Sequence, residues 1–123
     1  MAESGGGGAL GPLEAEVMAV LWEANAPVSV RDVFDRLNAG RAAPLAYTTV
    51  MTVLSRLAGK QIVVREQQGR SFVYTPAVAD TAEIAVRGIL AEFGDAALAR
   101  FVDQVQLDPR LRARLRRLMR SQS

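Results

Sequence analysis

Between Tyr47 and Arg56 the chain sets hydroxyl groups beside a guanidinium: Tyr47, Thr48, Thr49, Thr52, Ser55 and Arg56. Hydroxylated and β-branched residues are mediocre helix formers, and a generic solvated face would more usually carry Glu and Lys. The mixture suits hydrogen bonding to an anion without like-charge repulsion. Arg65, Arg70 and Ser71 follow, in a stretch (residues 41–70) that holds five basic residues against Glu66 alone. Residues 110–123 carry six arginines (Arg110, Arg112, Arg114, Arg116, Arg117, Arg120) and no acid, which leaves residues 1–109 at −4 within a chain of net charge +2. On an otherwise acidic body, each basic block is a candidate surface for a polyanion.

Other chemistry is excluded by composition. The 123 residues contain no His and no Cys. There is therefore no imidazole or thiolate metal site, no disulfide framework, no Cys nucleophile and no Ser-His-Asp triad. Glu14 and Glu16 stand two apart on a helical pattern and point in different directions, so they do not make an acid/base pair. Gly5 to Gly8 lacks the Lys and Ser/Thr of a phosphate-binding loop. The expectation is a non-enzyme without metal or cofactor. No apolar run approaches the ~20 residues of a membrane span, and the start lacks a signal peptide, so a cytoplasmic protein without membrane contact is expected.

The elements that must position these residues read as follows. Met1 to Gly8 is small and Gly-rich and is expected to be a disordered segment or a cloning scar. Pro12 opens a helix over about 12–24, with Leu13, Val17, Val20, Leu21 and Ala24 at helical spacing and Trp22 as a core residue. Ser29 with Asp32 is a capping box with a short carboxylate, opening a second helix to about residue 39. Val50, Val53, Leu54 and Leu57 give the apolar stripe of a third helix, from Ala46 or Tyr47 to Gly59. Residues 62–67 and 71–75 are two short strands around a Gly-containing turn, a hairpin whose tip carries Arg65 and Arg70. Asp80 caps a fourth helix to Phe93, Asp95 a fifth and Asp108-Pro109 a sixth. In the fifth, Leu98, Phe101, Val102 and Val105 form the stripe; in the last, Leu111, Leu115, Leu118 and Met119 are expected to face inward. The composition changes at Pro76–Asp80. This gives three segments: 1–9, a unit of three helices and a hairpin over 10–77, and a helical unit over 78–123.

Three helices and then a two-stranded hairpin is the order of a winged helix-turn-helix, in which the third helix enters the DNA major groove and the hairpin rests on the backbone. The expected class is mostly α with a small β-hairpin wing, followed by a C-terminal helical region. The resemblance is more specific than the pattern. Leu13-Glu14-Ala15-Glu16-Val17-Met18 through Leu21-Trp22 resembles the opening helix of the penicillinase-repressor family (the BlaI/MecI type). Tyr47-Thr48-Thr49-Val50-Met51-Thr52-Val53-Leu54-Ser55-Arg56-Leu57 resembles its recognition helix, and Gly59-Lys60 with Arg70-Ser71-Phe72-Val73-Tyr74 its passage into the wing.

The resemblance implies a homodimeric repressor that binds palindromic operators through an N-terminal winged helix and dimerises through C-terminal helices. It implies control of β-lactam resistance genes, with relief by a regulatory protease that cuts the dimerisation helices. By position, it implies DNA contact for Tyr47, Thr48, Thr49, Thr52, Ser55, Arg56, Arg70 and Ser71, and dimerisation through Leu98, Phe101, Val102, Leu111, Leu115 and Leu118. The family's scissile bond, often Asn-Phe, falls on Arg100-Phe101, where Asn is replaced. With no cysteines, copper sensing by the route of copper-responsive relatives is excluded.

Two residue sets keep alternatives. Arg65 and Arg70 suit either protection of an exposed strand edge or phosphate contact, and phosphate contact is the reading taken. The C-terminal arginines suit a dimer role, pairing with Asp95, Asp103 or Asp108 of a partner or covering its seam, or an additional DNA contact; the dimer role is the reading taken. From another class, a winged-helix protein–protein adaptor without specific DNA binding stands as the alternative function.

Overall fold

The structure, a computed structural model, describes residues 10–122. The expected disordered segment over residues 1–9 lies outside them. Helix α1 (Pro12–Ala24) starts where the sequence placed it: Pro12 takes a first-turn position, and the Gly11 N–H donates to Glu14 Oε1 at 3.0 Å. Asn25, in the left-handed region at φ 57°, ends the helix and turns the chain toward Pro27. The capping box forms as read: Asp32 N donates to Ser29 Oγ at 3.0 Å and Ser29 N to Asp32 Oδ2 at 3.2 Å, opening α2 (Val30–Asn38). The Asn38 side chain then holds the following loop from both sides, with its Oδ1 accepting from Leu45 N at 2.8 Å and its Nδ2 donating to Leu45 O at 3.2 Å. That clamp fixes where α3 (Tyr47–Gly59) begins.

The sheet corrects one expectation. Beyond the hairpin of β2 (Val63–Gln68) and β3 (Ser71–Pro76), a third strand, β1 (Val28–Ser29), pairs antiparallel with β3 in the order β1-β3-β2. Two residues are too few to show an alternating pattern, so this strand leaves no trace in the sequence. Gln68 pairs with Ser71 across a two-residue turn in which Gly69 adopts φ 64°. A β-carbon is disfavoured there, and the geometry matches the twist of the flanking strands. Arg65 does not sit at this tip: it pairs with Tyr74, well down the ladder, and only Arg70 occupies the turn.

One buried cluster joins the helices to the sheet. Val17, Met18, Val33, Val50, Leu54 and Leu57 are fully enclosed, and Tyr74 closes the cluster from β3. The same cluster takes in Val78 and Ile84, so the core continues past the composition change at Pro76–Asp80. Trp22, packed against the cluster, donates its indole N–H to the Val78 carbonyl at 2.9 Å and ties α1 to the chain leaving the sheet.

The last three helices are α4 (Thr81–Phe93), α5 (Asp95–Leu107) and α6 (Pro109–Ser121). Asp80 and Asp108 cap α4 and α6 with their carboxylates as read. Asp95 does not cap α5; Gly94, at φ 55°, holds the N-cap position and Asp95 is the first helical residue. Nor do Leu118 and Met119 face inward, since they are 60% and 65% exposed. An apolar stripe marks which side of a helix prefers to be covered, but α6 packs chiefly against α5, which leaves much of that stripe exposed. Val86, Ile89, Phe93, Leu98, Phe101 and Val102 are likewise exposed.

Candidate nucleic-acid interface

Helix α3 has two sharply different sides. Val50, Leu54 and Leu57 are completely buried and Val53 nearly so, whereas Thr48, Thr49, Thr52, Ser55 and Arg56 are all exposed. The poor helix formers of this face are held helical by the burial of the opposite stripe. No side chain caps the N-terminus of α3, where Ala46 stands at the N-cap. Thr49 N donates back to the Ala46 carbonyl at 3.1 Å, which leaves the Tyr47 and Thr48 amide N–H groups facing a possible anion, and the helix dipole adds a partial positive charge there.

Tyr47 is placed by a stack. Its ring meets Phe34 edge-on at 5.4 Å between centroids, and the Arg31 guanidinium lies 5.5 Å from Tyr47 and 5.4 Å from Phe34. Arg31 is a basic residue that sequence reasoning missed at this site. Its neighbour across the stack lies in another helix, so no local spacing reveals it. It also reaches Asp35 at 3.9 Å, an exposed pair of little energetic weight.

Along one flank of α3 lies an open groove of about 590 Å³, lined by Gly11 to Glu14 of α1, by Thr48, Thr49, Thr52, Val53 and Arg56, and by Lys60. Glu14 is its acidic member and accepts from Lys60 Nζ at 3.0 Å. Partial burial pushes its carboxyl upward, but the Gly11 N–H, the Lys60 ammonium and the Arg56 charge together hold it below the ordinary carboxylate range. On α1's outer side, Arg41 donates to Glu16 at 2.7 Å, and this hydrogen bond lowers the Glu16 carboxyl and raises the Arg41 guanidinium.

These contacts sort the basic block of residues 41–70. Arg41 and Lys60 are committed to carboxylates of α1, and the Arg65 guanidinium lies over the Phe72 ring, 4.5 Å from its centroid. Among the described residues, neither Arg56 nor Arg70 has a carboxylate within ion-pair distance, and both are exposed. Arg70 and Ser71 sit at the wing's turn, about 17 Å along the strand direction from Val63. An exposed recognition-type helix with one free guanidinium, beside a projecting turn with another, can hold a groove and an adjoining backbone of a double helix.

The comparisons with known proteins agree with this geometry. Residues 10–121 match the family described as penicillinase repressor. The chain is 42% identical over 106 residues to the transcriptional regulator BlaI of Mycobacterium tuberculosis, covering 80% of this chain and 75% of that one. The solution structure of the DNA binding domain of the repressor BlaI is 27% identical, with a TM-score of 0.53, over 66% of this chain and 92% of that one. The complex structure of hsRosR-S1, 14% identical with a TM-score of 0.52, covers 92% of this chain and 91% of that one and shares the fold alone.

Proposed function

Since the chain belongs to the penicillinase repressor family, we propose that it binds palindromic operators as a homodimer and controls β-lactam resistance genes from the cytoplasm. It is a BlaI-like transcriptional repressor with a winged helix, and the operator is its double-stranded DNA partner. The observation that carries the DNA-binding reading is the split of α3: a fully buried apolar stripe behind, and an uncovered face of hydroxyls and one guanidinium in front.

In this reading residues 10–77 bind DNA and residues 78–123 dimerise. Tyr47 and Thr48, with the N–H groups at the N-terminus of α3, meet phosphate and fix the register, and Thr49 lies beside them. Thr52, Ser55 and Arg56 lie further along the groove, where Arg56 has the fork geometry for guanine O6 and N7 and the Thr methyls can meet thymine methyls. Arg70 and Ser71 hold the neighbouring backbone from the wing. Leu98, Phe101, Val102, Leu111, Leu115 and Leu118 supply the dimer seam, so that two recognition helices occupy one operator. Repression is occlusion of the promoter and involves no catalysis.

Relief by a regulatory protease fits a seam made from these helices. Arg100-Phe101 lies inside α5, with Phe101 about half exposed and Arg100 paired to Asp103 at 3.0 Å. Cleavage there would divide the helix that carries half the seam.

The test is a fluorescence titration of the full chain with a duplex from its own upstream promoter region, at two salt concentrations. A DNA binder loses affinity with a log–log slope near −0.9 per phosphate neutralised. A flat response would favour the protein–protein adaptor instead and end the repressor reading.

A further inference from the structure

The six arginines of α6 are not used by the winged helix, and their surroundings speak against a partner chain as their counterion. Arg110, Arg114, Arg116, Arg117 and Arg120 are exposed, and among the described residues none has a carboxylate within ion-pair distance. Arg112 is occupied, donating to the Gln106 carbonyl at 2.6 Å. Like charges stand four apart at Arg110 and Arg114, Arg112 and Arg116, and Arg116 and Arg120, an arrangement that repels unless something anionic lies against it.

Residues 78–123 hold six acids against eight arginines, so a second copy of this region adds net positive charge rather than removing it. Local contacts also fix where several of those acids sit: Asp80 and Asp108 cap helices, Glu83 accepts from Ala79 N, and Asp103 is paired with Arg100. Among the described residues, Asp95 and Glu92 are the acids of these helices for which no hydrogen bond or ion pair is seen. A second copy docked on the apolar seam would bring the same six guanidiniums of α6 and the same excess of positive charge.

We infer that the basic face of α6 is a second DNA-contacting surface, one that grips duplex phosphates independently of base sequence. From Arg110 to Arg120 the helix advances about 15 Å, so its charges are spaced on the scale of duplex DNA, which carries one per ~1.7 Å of axis. A guanidinium fork also suits phosphate oxygens. An anionic membrane surface is the weaker match. Leu111 and Leu115 are half-buried within the chain, which leaves Leu118 and Met119 as the lipid-facing residues, and α6 has no aromatic residue.

The inference rests on the reading of the chain as a DNA-binding repressor, and its test separates the two. The full chain and an Arg114→Gln/Arg116→Gln/Arg117→Gln/Arg120→Gln variant are titrated against the promoter duplex and a scrambled duplex over a range of salt. Vesicles of anionic phospholipid and sedimentation are run in parallel. Gln is a good helix former, and these positions are exposed, so the fold is retained.

The expected result is a dimer like the parent whose salt slope flattens by about 2–4 on both duplexes, with its preference for the promoter sequence kept. The matching Arg→Lys variant should recover most of the slope. An unchanged slope in a variant whose parent binds DNA steeply would overturn this inference alone. So would a variant that is monomeric, or one that loses only vesicle binding. A parent that binds neither duplex in a salt-dependent way would overturn the repressor reading first.

Discussion

Arg56 and Arg70 carry the same guanidinium but are placed to do different work. Arg56 projects from the face of α3 that would lie in the groove, whereas Arg70 stands at the wing's turn, where backbone is the nearer target. Arg56→Ala should therefore weaken operator binding by about 1–3 kcal/mol and relax preference at one base position, seen by titrating a panel of single-base operator variants. Arg70→Ala should weaken every sequence alike and flatten the salt slope by about 1. Indifference to both changes would mean that the helix and wing are misassigned. Glu14 adds a pH dependence. Its carboxyl is held below the ordinary 4.5 in the folded chain, so the ionised form favours folding. That contribution is present above the ordinary value and disappears as pH falls through the folded one. Wild type should be more stable than Glu14→Gln by about 1 kcal/mol near neutrality, and the gap should close on acidification, read by urea unfolding across pH. A gap independent of pH would remove the Lys60 pairing as its source.

At the scale of elements, what matters is how the interface is held. Helix α3 is aimed by its buried stripe and by the Asn38 clamp on the loop before it, while α1 is tied to the chain leaving the sheet through Trp22. Trp22→Phe keeps an aromatic but leaves the Val78 carbonyl without its indole donor. The change should cost about 1–3 kcal/mol, measured by thermal or urea unfolding, with the DNA sequence preference unchanged. Much of this level was legible in the residues. Pro12, the Ser29–Asp32 box and the stripe of Val50, Val53, Leu54 and Leu57 each carry local physics strong enough to mark an element. The sequence did not disclose β1, whose two residues are a strand only because β3 lies alongside. Arg65 was misplaced because strand spacing says which face a residue takes and not how far down the ladder the turn leaves it. The candidate DNA-contacting face was readable as a chemical oddity on α3, but the commitment of Arg41 and Lys60 to α1 was not, since those pairs join residues 25 and 46 positions apart.

For the molecule as a whole, the exposed apolar surface of α4 to α6 is the feature that a single chain leaves unresolved. Leu98, Phe101 and Val102 are about half exposed along one helix, and large contiguous apolar surface on a protein in water marks an interaction site. A second copy is the occupant the proposed operator symmetry requires. Two recognition helices reading equivalent half-sites on one face of B-DNA must stand about 34–36 Å apart or at a multiple of that distance. Helices that join the two copies are what would set this spacing, so the dimer seam and the operator repeat are two views of one constraint. Phe101→Asp should break it. The residue is exposed within the chain, so the substitution should leave folding of the winged helix intact while placing a charge in the seam. Sedimentation should then report a monomer. Binding to a full operator should fall toward that of a single half-site, and changing the half-site spacing by half a helical turn should weaken the wild type but not the variant. A Phe101→Asp protein that stays dimeric and keeps full operator affinity would place the seam elsewhere in the molecule.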